Sequence, residues 1–460
     1  MVKKRASRSR AARTGPSGPD RTSSSIDEML LAALERGDDS FQTGRYLATF
    51  KEGATDAGIK ALSSVRGMRL ADARDFSRQS VRMQDVGDAD ALVFPEIGVA
   101  LVGGDAAATR GLTATAEIAA DSAIESIDPE YFVFIDGTEE QFRRISGIIT
   151  PAAVASPGDY LRGFMRAAET ITADLYRGGG IPAPVGDTEE EALVLGATWG
   201  LVACRVPTSS RSGNGIRVAV LDTGMDLGHP DFAGRALTTA SFVGQPVQDL
   251  HSHGTHCIGT ACGPLAPAGT TPRYGVGYRT AIFAGKVLSN SGSSVGGSVL
   301  AGMNWAIANR CPVISMSVGG PGGPQPYYTA AGQAALNNGL LIIAAAGNAA
   351  SPTGAPANSP TIMSVAAVTE TLVPASFSNF GKIEISGPGT NVFSSVPRPT
   401  RYGFKSGTSM ATPHVAGCAA LWAETSPSLR GLLLWRRLQS TARPLPFPAS
   451  RVGSGLVQAP

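Results

Sequence analysis

Ile216-Arg217-Val218-Ala219-Val220-Leu221-Asp222-Thr223-Gly224 reads as a short apolar strand that runs out into a carboxylate and a turn. Comparable runs rich in Val, Ile and Ala follow at 281–287, 313–316, 340–346 and 362–368, with helical periodicity between them at 296–309 and 327–338. Strands that are apolar throughout are buried on both faces, so they belong to a parallel sheet covered by helices. The fold class predicted for 196–460 is therefore α/β, a doubly wound parallel sheet. Such sheets bind ligands beyond the carboxyl ends of their strands, and Asp222 stands at one of those ends. An Asp there also caps turns, so it decides nothing alone.

Three further segments place reactive groups at equivalent points. His251-Ser252-His253-Gly254-Thr255-His256-Cys257 holds three of the chain's five histidines and leads into a helix of small residues. Side-chain types do not choose among His251, His253 and His256. Gly407-Thr408-Ser409 opens an apolar helix at 411–423, where a serine is first of all a cap. The same place offers its hydroxyl backbone N–H groups and the positive end of a helix dipole. Pro413 is expected in the first turn, where its missing N–H costs little. The strand at 340–346 ends in Gly347-Asn348, a turn whose amide is able to donate into the same crevice.

Asp222-Thr223-Gly224, His253-Gly254-Thr255-His256 and Gly407-Thr408-Ser409-Met410-Ala411-Thr412-Pro413 resemble the three motifs of the subtilisin-like (subtilase) serine proteases. The order Asp, His, Ser is also that of subtilisin itself. Ser315-Met316-Ser317-Val318-Gly319-Gly320 and Ala344-Ala345-Ala346-Gly347-Asn348 extend the likeness, which runs from about Trp199 to Val457. The resemblance implies a serine endopeptidase with Ser409 as nucleophile, His253 as general base and Asp222 as its orienting partner. Asn348 and the Ser409 N–H would form the oxyanion hole. Ser317, Val318 and Gly319 on one side, and Gly292, Ser293 and Ser294 on the other, would bind a polypeptide substrate as an added strand. Gly319, Ala345, Gly347 and Gly354 would line an uncharged pocket for an apolar residue before the scissile bond. Cys257 matches a cysteine of proteinase K-like members, which implies sensitivity to mercurials. Asp231 corresponds to a calcium ligand of many relatives. Yet 263–274 is rich in Pro, Gly and Thr and lacks Asp and Asn, a poor oxygen set for that cation. No cofactor and no metal ligand is expected. The alternatives are a processing protease or transpeptidase for one partner peptide, and an inactive subtilase fold that only binds.

Ahead of this domain, 41–135 alternates as strand, helix, two strands, helix and strand. That is the ferredoxin-like order, and it resembles the family's inhibitory propeptide, a second partner and the mark of a zymogen. Pro95 is expected to break the extended stretch 92–102. Residues 136–195 read as a connector with one helix at 159–176, longer than the link usual in the family. Residues 1–40 carry Lys3, Lys4, Arg5, Arg8, Arg10 and Arg13 with little apolar content and read as a disordered basic tail. No 7–15-residue apolar stretch follows these charges, which leaves the cytoplasm or a non-Sec export route. The longest apolar run is far short of the ~20 residues of a membrane span. A net charge of +2 gives nucleic acid no foothold, and a monomer is expected. Five cysteines, an odd number without a CxxC pair, read as buried thiols.

Overall fold

The computed structural model describes residues 41–135 and 196–460, apart from 82, 113–121, 270 and 321, together with Ile26, Met29, Leu30 and Ala33. The connector and its expected helix lie outside these residues. The N-terminal unit runs β1 (Gln42–Phe50), α1 (Thr55–Lys60, prolonged by a π turn), β2 (Leu70–Asp72), β3 (Ala91–Phe94), β4 (Val99–Val102), α2 (Gly104–Thr109) and β5 (Ile124–Phe134). Pro95 falls in the turn between β3 and β4, as its missing N–H requires. The strands stand in the order β2-β3-β4-β1-β5, with β1 antiparallel to both β4 and β5. The four main strands thus have the ferredoxin-like arrangement, and β2 is an addition at the edge. β5 is more than twice as long as the stretch 123–127 expected for it, because its last residues pair outside their own unit.

The second unit contains α3 (Trp199–Ala203), β6 (Arg217–Asp222), β7 (Leu237–Ser241), α4 (His253–Cys262), β8 (Ala281–Lys286), β9 (Ser293–Val295) and α5 (Gly296–Ala308). It continues with β10 (Val313–Met316), α6 (Pro326–Asn337), β11 (Leu341–Ala345), β12 (Met363–Val368), β13 (Ile385–Pro388), β14 (Val392–Ser395), β15 (Tyr402–Lys405) and α7 (Thr408–Thr425). Seven strands form one sheet in the order β13-β12-β11-β10-β6-β8-β7, parallel at each pairing. Alternate residues serve opposite layers, following the two-residue period of a strand. Val218, Val220, Val313, Leu341 and Ile343 pack toward α4 and α7, whereas Ala219, Leu221, Ile314, Met316 and Ile342 pack toward α5 and α6. The sheet is thus buried on both faces, as its composition demands.

The two units share strands. β5 pairs antiparallel with β9, Phe132 opposite Val295 and Phe134 opposite Ser293. Beneath this joint, Glu130 receives Gly297 N in the first turn of α5 at 2.7 Å, Arg45 Nε at 2.6 Å and Thr43 Oγ1 at 2.6 Å. Arg45 and Glu130 are fully buried.

The reading of 1–40 as a free tail requires correction at four positions. Ile26, Met29, Leu30 and Ala33 are helical and buried against Phe41, Phe132, Phe134 and Val295. Their spacing of three and four residues is an amphipathic stripe. The basic charges ahead of it masked that stripe, and its partners become adjacent only when β5 docks.

Candidate active site

Asp222 is the last residue of β6 and His253 the first of α4, and both are buried. His253 Nδ1 lies 2.8 Å from Asp222 Oδ1, which also accepts Thr223 N at 2.7 Å. A carboxylate only accepts, so Nδ1 carries the proton and Nε2 is left as the basic nitrogen. Geometry therefore makes the choice among histidines that side-chain types left open. His256 Nε2 is 2.9 Å from Val392 O, bound within the interior. His251 stacks edge-on against His253, with ring centroids 6.3 Å apart, and makes no bond to Asp222. Burial pushes the His251 imidazole down to about 4.

Two motif glycines make the Asp–His approach feasible. A Cβ on Gly254 would come within 2.3 Å of Gly224 O, and one on Gly224 (φ +104°) within 2.0 Å of Val247 O. The start of α4 thus rests directly on the turn after β6, a closeness that side chains would prevent.

Ser409 is the second residue of α7. Pro413 is the sixth, a turn deeper than expected. In a regular helix the N–H at 413 would bond the carbonyl of Ser409, and proline has none. That carbonyl instead receives Ser317 Oγ at 2.9 Å and Cys257 Sγ at 3.4 Å. Cys257 Sγ also lies 3.8 Å from His253 Nδ1, so Ser409 and His253 border the same thiol. Asn348 Oδ1 accepts Thr408 N at 2.8 Å and Thr408 Oγ1 at 2.9 Å. With its oxygen so held, the amide presents Nδ2 as a donor next to the Ser409 turn.

The predicted strand-binding stretches lie on either side of the end of β5. Phe134 and Gly319 exchange backbone bonds of 2.9 and 3.1 Å, Ser294 stands opposite Val133, and Ile135 N donates to Gly292 O at 2.9 Å. Val133 and Ile135 are buried in the same apolar cluster as Val318 and Leu288. Beyond this strand, Gly354 N donates to Ala346 O, and Gly320 and Ala355 exchange backbone bonds. Gly347 N is held by Thr408 Oγ1 at 3.1 Å. Gly319 is thus paired with β5, while Gly347 and Gly354 are tied to Thr408 and Ala346.

Asp222, His253 and Cys257 offer ligand atoms within 4.8 Å of one another, a set suited to a soft cation. Asp231 is held by two tyrosine hydroxyls. Tyr274 OH lies 2.5 Å from its Oδ2, and Tyr402 OH lies 3.1 Å from both oxygens, so hydroxyl donors occupy the lone pairs that a cation would need. The sequence reading also overlooked Asp249, Thr223 and Lys286, buried together behind the Asp–His pair. A carboxylate just ahead of a helix start is a capping signal and would have pointed to Asp249.

Residues 213–455, more than half of the chain, match the subtilase family. The chain belongs to that family. The subtilisin of Bacillus pumilus is 40% identical over 240 residues, covering 50% of this chain and 85% of that protein. An alkaline protease of Alkalihalobacillus alcalophilus is 38% identical over 280 residues, covering 59% of this chain and 71% of its own. The solved structure of a cold-adapted subtilisin-like serine proteinase superposes with a TM-score of 0.51 at 31% identity, covering 57% of this chain and 98% of that one. This subtilase is a serine endopeptidase, and its fold is subtilisin-like. Among its described residues no helix is long and apolar enough to cross a membrane.

Proposed function

We propose that this subtilase cuts peptide bonds through an acyl-enzyme on Ser409, and that it is made as a zymogen held by residues 41–135. Ser409 Oγ bonds to the scissile carbonyl carbon while its proton passes to Nε2 of His253. Asp222 fixes the imidazole by its Nδ1–H and stabilises the cation. The oxyanion accepts from Asn348 Nδ2 and Ser409 N–H, the donors that stabilise charge as it develops. His253 then returns the proton to the leaving nitrogen as the C–N bond breaks. Water, deprotonated by His253, attacks the ester and frees Ser409.

The observation that carries this reading is the seating of β5. A strand of the chain itself lies between Gly292–Ser294 and Ser317–Gly319, beside the Asp222–His253 pair and Ser409, with the backbone pairing of an added strand. In that register the partner of Gly319 is Phe134, and Ser317, two residues before Gly319, bonds to the Ser409 carbonyl. The first cut is therefore expected beyond Ile135. Gly319, Ala345, Gly347 and Gly354, the residues proposed to line the pocket, are small and uncharged, which supports apolar residues before the scissile bond. Asp231, already paired with two tyrosines, supports independence from calcium at that point.

The test is to purify the full chain and Ser409→Ala and to follow self-cleavage and casein hydrolysis. Unaltered chain should shorten itself, with a new N-terminus beyond Ile135, and then digest casein; Ser409→Ala should do neither. Absence of cutting by the unaltered chain would sink the reading. Self-cleavage without casein hydrolysis would mark a processing enzyme for one partner.

A further inference from the structure

The two proposed triad members on this side of the site come from separate elements, Asp222 from β6 and His253 from α4. A third carboxylate ties those elements together. Asp249 Oδ1 accepts Thr223 Oγ1 at 3.0 Å, His251 N at 2.9 Å and Ser252 N at 3.0 Å. Its Oδ2 accepts Thr255 N at 2.9 Å and Thr255 Oγ1 at 2.7 Å. Thr223 Oγ1 in turn accepts Gly254 N at 2.8 Å, and Thr255 Oγ1 accepts Asp226 N at 3.0 Å. The residues beside Asp222 and those beside His253 thus converge on one buried carboxylate. Lys286 stands opposite Asp222 in the β6–β8 register; its ammonium donates to Thr223 O and, at 2.8 Å, to Asn290 Oδ1.

We infer that Asp249 is a positioning residue of this site: it fastens the turn after Asp222 to the first turn of the His253 helix and offsets the Lys286 charge behind them. The inference rests on the triad reading above. Burial alone would raise the Asp249 carboxyl, but bonds from Thr255 and the Lys286 charge hold it below the ordinary range. An isolated buried ammonium would disfavour the imidazolium of His253, and Asp249 cancels that field.

The titratable groups gathered around the Asp222–His253 pair are Asp249 and His251 ahead of α4, Cys257 and His256 on α4, Lys286 on β8 and Lys405 on β15. Removing the Asp249 charge takes one of two carboxylates away from Lys286, so the acid limb of kcat/KM moves to lower pH. Removing the Lys286 charge has the opposite sign.

The test compares Asp249→Asn, Lys286→Met, Ser409→Ala and the unaltered chain, each produced full length, by pH profiles of hydrolysis of an apolar chromogenic peptide anilide. Asp249→Asn should lower kcat by about tenfold with KM little changed, the size usual for a group that orients a catalytic ligand. Its acid limb should move down by about half a pH unit or more, and that of Lys286→Met up by a similar amount. A fall in kcat with both limbs in place would reduce Asp249 to a helix cap and overturn the inference, as would unaltered kinetics. If Asp249→Asn does not fold, the Lys286→Met limb decides alone: a shift upward supports the charge balance, and no shift overturns it. Hydrolysis that survives Ser409→Ala would instead fault the triad reading.

Discussion

Cys257 is buried 3.8 Å from the imidazole proposed as the base, yet it is no rival nucleophile. Burial first, and then the Asp222 charge, push its thiol well above the ordinary range, so the proton stays on sulfur. A soft cation is a different matter, because it exchanges for that proton and adds bulk where His253 and the Ser409 carbonyl converge. One equivalent of a mercurial should remove most of the hydrolytic activity, and Cys257→Ser should be indifferent to it; the check is residual activity against mercury bound. Full activity with Cys257 labelled would refute the crowding argument. Asp222, His253, Ser409 and Asn348 were legible because each stands at a strand end or helix start, where local pattern and chemistry coincide. Asp249 was not, since its partners Thr223, Gly254 and Thr255 meet only across elements.

Among elements, the strands at 313–316 and 341–345 and the helices at 296–308 and 326–337 could be read nearly to the residue, because a wholly buried element leaves a continuous apolar signature. The edge strands Leu237–Ser241 and Ile385–Pro388 escaped, being short and less uniform. β5 was read as a short strand, because its extension is dictated by β9, more than 150 residues away. Glu130 on that strand belongs to a buried constellation with Arg45, Thr43 and the first turn of α5. Truncating it would remove the carboxylate that Arg45, Thr43 and Gly297 N share in the interior, a loss on the order of 3–5 kcal/mol. Glu130→Ala should therefore unfold in the N-terminal unit at lower denaturant and release proteolytic activity sooner. Denaturant melts followed alongside casein hydrolysis check both effects, and an unchanged lag would separate the ion pair from inhibition.

At the level of the whole molecule, the end of β5 is enclosed from both sides. Val133 and Ile135 enter the peptidase core, while Phe132 and Phe134 turn outward under Ile26, Met29, Leu30 and Ala33. Leu30→Asp should strip that cover and shorten the lag before self-cleavage, as read on gels over time; an unchanged lag would mean that the cover plays no part in restraint. Asp231 is bonded to Tyr274 and Tyr402, residues 43 and 171 positions away, and this is the ground for expecting stability without calcium. Melting temperatures should agree in chelator and in millimolar calcium, and a marked rise with calcium would show that Asp231 exchanges tyrosines for the ion.

By itself the sequence determined the buried centre of the sheet and its covering helices, and it pointed to candidate reactive residues at strand ends and helix starts. Each of those follows from local periodicity and from motifs that are contiguous in the chain. Only the tertiary structure decided which histidine faces Asp222, what takes up the carbonyl that Pro413 leaves unbonded, and that β5 fills the crevice between Gly292 and Gly319. These depend on donors and acceptors far apart in the chain, and a buried polar group is satisfied by whatever the fold brings within reach.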